Sequence, residues 1–202
     1  MIVKVCGLRN AQNIEDICKL GVDMLGFILY PPSPRYVGES VLPETKEQAR
    51  VGVFVNEKMD NIIHQAQRIQ LTHLQLHGNE NVEECESLRS KGYKVIKSIS
   101  VENADDVRKA QLYDGKVDIL LFDTKCSEHG GSGKSFDWSL LNKYQGSTPF
   151  LLSGGITLQM ADEINAINHP KFMGIDINSR FEIEPALKDI NKIEKFLKNI
   201  KR

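Results

Sequence analysis

The stretch from residue 149 to residue 179, PFLLSGGITLQMADEINAINHPKFMGIDINS, holds the fold in miniature. It opens on a β-rich apolar run, "PFLLSGG", and passes through "LQMADEINAIN", whose apolar residues recur at helical spacing. It ends on a second β-rich run, "FMGIDIN". Two strands joined by a crossover of this length lie parallel, with the helix packed across them.

Reading outward, the same alternation fills the chain. Further β-rich runs are "IVKVC" (2–6), "MLGFILY" (24–30), "RVGVFVN" (50–56), "THLQLHG" (72–78), "YKVIKSI" (93–99) and "DILLFDT" (118–124). Helical spacing recurs in "AQNIEDICKLG" (11–21), "DNIIHQAQRIQ" (60–70), "NVEECESLRSKG" (81–92), "ADDVRKAQL" (104–112) and "ALKDINKIEKFLKNI" (186–200). Eight strands alternating with helices predict a single-domain (β/α)8 barrel over residues 1–202, in preference to an open doubly wound sheet. The alternation is thinnest after the second strand, where "PPSPRYVGESVLPETKEQA" (31–49) predicts a long proline-rich loop and only a short helix.

The bulk composition removes several function classes. Lys and Arg (26) nearly balance Asp and Glu (27) and are interspersed, so no basic stripe offers itself to nucleic acid or an anionic membrane. No apolar run reaches membrane-spanning length, and "MIVKVCGLRN" lacks the regions of a signal peptide, which predicts a cytosolic protein. The four cysteines, Cys6, Cys18, Cys85 and Cys126, have no CxxC spacing, so neither a disulfide framework nor a zinc site is indicated. "EHGGSGKSF" (128–136) ends like a phosphate-binding P-loop, but Glu128 stands where that motif requires its first glycine. The P-loop reading is therefore rejected.

In a barrel of this kind the active site is built on the loops that follow the strands. Lys4 and Cys6 share one face of the first strand and Val3 and Val5 the other, which points Lys4 and Cys6 into the barrel. Cys6, at the strand end beside a lysine, is a candidate base or nucleophile, and Lys4 is expected to favour its thiolate. Asp123 ends the sixth strand and offers the acid partner. On the fourth strand, His77 is the candidate ligand contact and His73 a structural residue. Arg35, held between prolines and Tyr36, is a candidate carboxylate clamp. Gly154 and Gly155 after the seventh strand, with Asn178 and Ser179 after the eighth, offer backbone N–H groups for a phosphate.

Taken in order, "VKVCGLRN", "LGFILYPPSPRYV", "VGVFVN", "LQLHGNE", "LFDTK", "HGGSGKSFDW", "LLSGGI" and "GIDINSRFE" closely resemble the phosphoribosylanthranilate isomerases of tryptophan biosynthesis, along nearly the whole chain. The resemblance implies an Amadori rearrangement of N-(5-phosphoribosyl)anthranilate, with Cys6 as general base at the sugar C2 and Asp123 as general acid at the ring oxygen. It implies that Arg35 holds the anthranilate carboxylate, and that the two glycines with Asn178 and Ser179 hold the phosphate. No metal or organic cofactor is called for, and the expected partner is this small phosphorylated substrate. The resemblance also makes "HGGSGKSF" a mobile covering loop from which Lys134 approaches the substrate. One departure is plain: Asn178 and Arg180 stand where the family commonly has Ser and Gly.

Two other readings remain open on sequence. A different phosphosugar barrel would share the phosphate site but needs paired carboxylates or metal ligands. A non-catalytic barrel binding a phosphorylated metabolite would need no acid and base together. Oligomeric state is not readable.

Overall fold

The computed structural model describes residues 1–45, 47–124 and 138–201. Eight parallel strands close on themselves in sequence order: β1 (Ile2–Val5), β2 (Met24–Ile28), β3 (Ala49–Phe54), β4 (His73–Leu76), β5 (Lys94–Val101), β6 (Ile119–Thr124), β7 (Phe150–Ser153) and β8 (Phe172–Ile177). All eight predicted strands are present. Closure is made by β1 against β8, where Val3 pairs with Ile175 and Lys4 with Asp176.

Alternation of side chains sorts the residues into two apolar regions. Met24, Val51, Ile96, Ile119, Leu121 and Leu151 fill the lower barrel interior. Val3, Val5, Leu25, Phe27, Leu74, Leu120, Phe122 and Ile175 face the surrounding helices in the larger core. The layer outside the strands comprises α1 (Ala11–Lys19), α2 (Met59–Arg68), α3 (Val82–Ser90), α4 (Ala104–Lys109), α5 (Ala161–Asn165) and α6 (Ile190–Asn199), supplemented by short 3-10 turns. Side-chain caps fix several helix starts. Asn10 Oδ1 accepts from the Asn13 N–H, and Asn81 forms a reciprocal box with Glu84 ahead of α3.

Two helical expectations are corrected. No helix forms among the described residues between β2 and β3. That segment packs as an irregular loop, and buried Arg50 ties it down by donating to the Pro43 carbonyl at 2.9 Å and to Thr45 Oγ1 at 3.3 Å. The last helix begins at Ile190 and not at Ala186, because the backbone of Ala186 turns to φ 69°. There the chain makes a small hairpin, β9 (Glu182–Glu184) with β10 (Leu187–Lys188). The loop expectation for residues 128–136, with Lys134, falls outside the described residues, as does Cys126. Among the described residues no helix is long and apolar enough to cross a membrane.

Candidate active site

The strand ends surround one cavity of about 470 Å³. Its walls include Cys6 just after β1, His77 just after β4, Asp123 from β6, Gly154 and Gly155 after β7, and Asp176, Asn178, Ser179 and Arg180 at and after β8. Seven of the eight sequence-selected residues therefore meet at one place. The eighth, Arg35, stands just behind the wall, where its Cδ and the Asn178 side chain both close on Gly7. A side chain at Gly7 would put its Cβ 2.8 Å from Arg35 Cδ and 2.7 Å from Asn178 Oδ1, and its φ of +76° suits glycine in any case.

Cys6 owes its place to another glycine. A Cβ on Gly26 of β2 would lie 2.7 Å from Cys6 Sγ, so the neighbouring strand is hollowed out to admit the sulfur. Below it lies a charged pair that sequence reasoning saw only by half. Lys4, fully buried, donates from Nζ to Asp176 Oδ2 at 2.7 Å, while Asp176 Oδ1 is buried without a partner among the described residues. Lys4 does favour the thiolate, as expected, but the surroundings of Cys6 taken together do not. Burial pushes the Cys6 thiol above its ordinary value, Lys4 pulls it down, and Asp176 pushes it up again. The net direction is upward, so the free protein holds a thiol. A buried sulfur of this kind is a strong base once ionised. Asp176 was legible in principle, since in "GIDIN" it alternates with Ile175 and Ile177 and so shares the inner face with Asn178.

Across the cavity, His77 Nε2 lies 3.2 Å from Asp123 Oδ2. The Gln75 amide nitrogen stands 3.1 Å from His77 Nδ1 and 3.2 Å from Ser98 Oγ. The Gln75 amide and the Asp123 carboxyl thus flank the two ring nitrogens of His77 and fix the ring between them. The loop carrying His77 is braced from outside the barrel. Buried Lys97 donates to the Gly78 carbonyl at 2.7 Å and to Glu80 Oε2 at 2.9 Å, and Glu80 in turn accepts the N–H groups of Asn56 and Gly78. Burial raises the Glu80 carboxyl, but Lys97 and the N–H groups of Asn56 and of Glu80 itself outweigh it and hold it below its usual value. His73, expected to be structural, contacts Thr72 Oγ1 at 2.9 Å and lies at the other end of β4.

The opposite end of the cavity suits an anion. Gly154 and Gly155 both adopt positive φ, at 94° and 60°. They turn the chain at the end of β7, next to the 3-10 turn Ser179–Phe181 that follows β8. Arg180 lines the same region and adds a cation to it. No group of three or more His, Cys, Asp or Glu side chains among the described residues converges as a metal-binding set.

Residues 3–199 match the family model described as N-(5'phosphoribosyl)anthranilate (PRA) isomerase. This chain belongs to the phosphoribosylanthranilate isomerase family. It is 46% identical to the N-(5'-phosphoribosyl)anthranilate isomerase of Parabacteroides distasonis, over 99% of this chain and 93% of that protein. It is also 46% identical to that of Phocaeicola vulgatus, over 100% and 98%. Among solved structures, phosphoribosyl anthranilate isomerase from Thermotoga maritima superposes with a TM-score of 0.82 at 34% identity, covering 98% of each chain. A phosphoribosyl anthranilate isomerase in complex with reduced 1-(o-carboxyphenylamino)-1-deoxyribulose 5-phosphate superposes with a TM-score of 0.80 at 31% identity, again over 98% of each. Family membership and the barrel fold agree with the eight-strand reading of the sequence. The ligand of that complex carries a carboxyphenyl group and a 5-phosphate.

Proposed function

We propose that this protein isomerises N-(5-phosphoribosyl)anthranilate to 1-(2-carboxyphenylamino)-1-deoxyribulose 5-phosphate, the Amadori step of tryptophan biosynthesis, with Cys6 as base and Asp123 as acid. The furanose must open before C2 becomes acidic. Asp123, in its acid form and oriented by His77, gives its proton to the ring oxygen as the C1–O bond breaks, leaving an iminium between C1 and the anthranilate nitrogen and a carboxylate at Asp123. The iminium withdraws electrons from C2, and the Cys6 thiolate removes the C2 proton to give the enolamine, whose tautomer is the ketose product. Because the free protein holds a thiol, Cys6 first gives its proton to water, and Lys4 is the cation that steadies the resulting sulfur anion inside the barrel. The glycines 154 and 155 and the backbone at Asn178 and Ser179 hold the phosphate, with Arg180 beside them. Arg35 holds the anthranilate carboxylate.

The observation that carries this reading is that Cys6 and Asp123 line one cavity together with the paired glycines and the turn after β8. A metabolite-binding barrel without chemistry has no use for a thiol and a carboxyl set at opposite strand ends. The test follows anthranilate fluorescence on freshly generated phosphoribosylanthranilate. Cys6→Ala and Asp123→Asn should each lower turnover by about 100-fold or more, the lower range for acid–base catalysis. Near-normal turnover in either variant would remove that residue from its role.

A further inference from the structure

The Arg35 guanidinium is not held by its own loop alone. Glu182, from the hairpin after β8, grips it along one edge: Oε1 and Oε2 accept from Nε at 2.9 and 3.0 Å, and Oε2 accepts from Nη2 at 2.6 Å. A guanidinium has two edges able to meet a carboxylate with parallel hydrogen bonds, Nε with Nη2 and Nη1 with Nη2. Glu182 occupies the first. No described residue accepts from Nη1, so the second edge remains for a ligand.

Glu182 is itself fixed from behind. Lys188, whose side chain is fully buried, donates to Glu182 Oε1 at 2.7 Å and to Asn178 Oδ1 at 2.8 Å. The backbone of Lys188 is locked to α1, for Asn13 donates to its carbonyl at 2.9 Å and accepts its N–H at 2.8 Å. Burial raises the Glu182 carboxyl, but Arg35 and Lys188 more than offset this and keep it ionised. Burial lowers the Lys188 amine, and its ion pair with Glu182 opposes that.

We propose that Glu182 is a positioning residue for substrate recognition: it turns Arg35 so that the Nη1/Nη2 edge meets the aryl carboxylate, and so makes the enzyme select aryl groups that bear one. This rests on the reading of Arg35 as the carboxylate clamp. Two effects oppose each other when Glu182 is neutralised. Loss of a nearby negative charge would by itself strengthen attraction for an anion, whereas loss of orientation weakens a bidentate contact. The two-point grip on Nε and Nη2, together with the buried lysine behind it, favours orientation as the larger effect.

The experiment compares two non-reacting ligands, reduced 1-(o-carboxyphenylamino)-1-deoxyribulose 5-phosphate and its phenyl counterpart without the carboxylate, by calorimetric Kd. Wild type should prefer the carboxylated ligand. Glu182→Gln should lower that preference by about 10-fold, the equivalent of one charge-assisted hydrogen bond, and leave Kd for the phenyl ligand within about twofold. A thermal melt checks folding. If Gln at this position does not fold, Glu182→Asp keeps the carboxylate but draws it back by one methylene from Nε and Nη2, and its preference should fall in the same direction. A retained or increased preference, or an equal loss for both ligands, would overturn the proposal. Arg35→Met separates the two levels: a wild-type preference in that variant defeats the carboxylate-clamp reading itself, whatever Glu182 does.

Discussion

Replacing Lys4 by Met removes the cation from the buried pair beneath Cys6 and leaves Asp176, whose carboxyl burial already raises, without its partner. Both members are shut away from water, with side-chain exposures of 0% and 5%, and one Asp176 oxygen already lacks a partner among the described residues. Breaking a buried pair from one side costs about 3–5 kcal/mol. For a chain of this size each kcal/mol lowers Tm by about 2–4 °C, so a fall of about 6–20 °C is expected. The double variant Lys4→Met with Asp176→Leu replaces both charges with apolar groups and should recover most of that loss, since such exchanges are often neutral or better. The sulfur reports separately. Burial, Asp176 and Lys4 act on Cys6 in opposed directions, so Lys4→Met should move its alkylation by iodoacetamide to higher pH, and Asp176→Asn should move it to lower pH. Melting temperature and alkylation rate against pH, each with Cys6→Ala as control, are the two assays. An unchanged Tm in Lys4→Met, or a Cys6 titration indifferent to both variants, would refute the coupling of pair and thiol.

Gly26→Ala should cost about 1–3 kcal/mol, as overpacking does, and should lower turnover more than a surface change, because its Cβ meets Cys6 Sγ at 2.7 Å; thermal melts and the fluorescence assay check both. Acid stability should depend on Asp114. Burial raises its carboxyl, but the N–H and hydroxyl of Thr148, the N–H of Ser147 and the Tyr144 hydroxyl outweigh burial and hold it at about 2. Its folded value is depressed, so its stabilisation is complete above the unfolded value of about 3.9 and is lost as pH falls towards 2. The Tm difference between wild type and Asp114→Asn should accordingly be wide at pH 6 and close between pH 4 and pH 2; a constant difference would contradict the assignment.

The eight strands could be read from sequence because strands buried on both faces are near-continuous apolar runs, and their ends carry the unusual residues. Cys6, Asp123 and the paired glycines were visible for that reason. The partners of the site residues were not. Glu182 and Lys188 sit in "FEIEPALKD" among exposed-looking charges, and only the turn at Ala186, followed by the pairing of Leu187 with Glu184, folds them inward onto Arg35. That turn also defeated the helix expected from Ala186, whose apolar spacing takes no account of a left-handed residue. Lys4 was placed inside the barrel from its own strand, but its pairing with Asp176 is a property of register between β1 and β8, which neither segment specifies alone.

That seam has a consequence for how activity arises. The sulfur and its controlling lysine come from the opening strand, while the lysine's counter-ion arrives 172 residues later on the strand that completes the ring. A chain halted before β8 would carry the Cys6 thiol in an unfinished setting, and catalytic competence should therefore emerge as a late event during refolding, in step with closure.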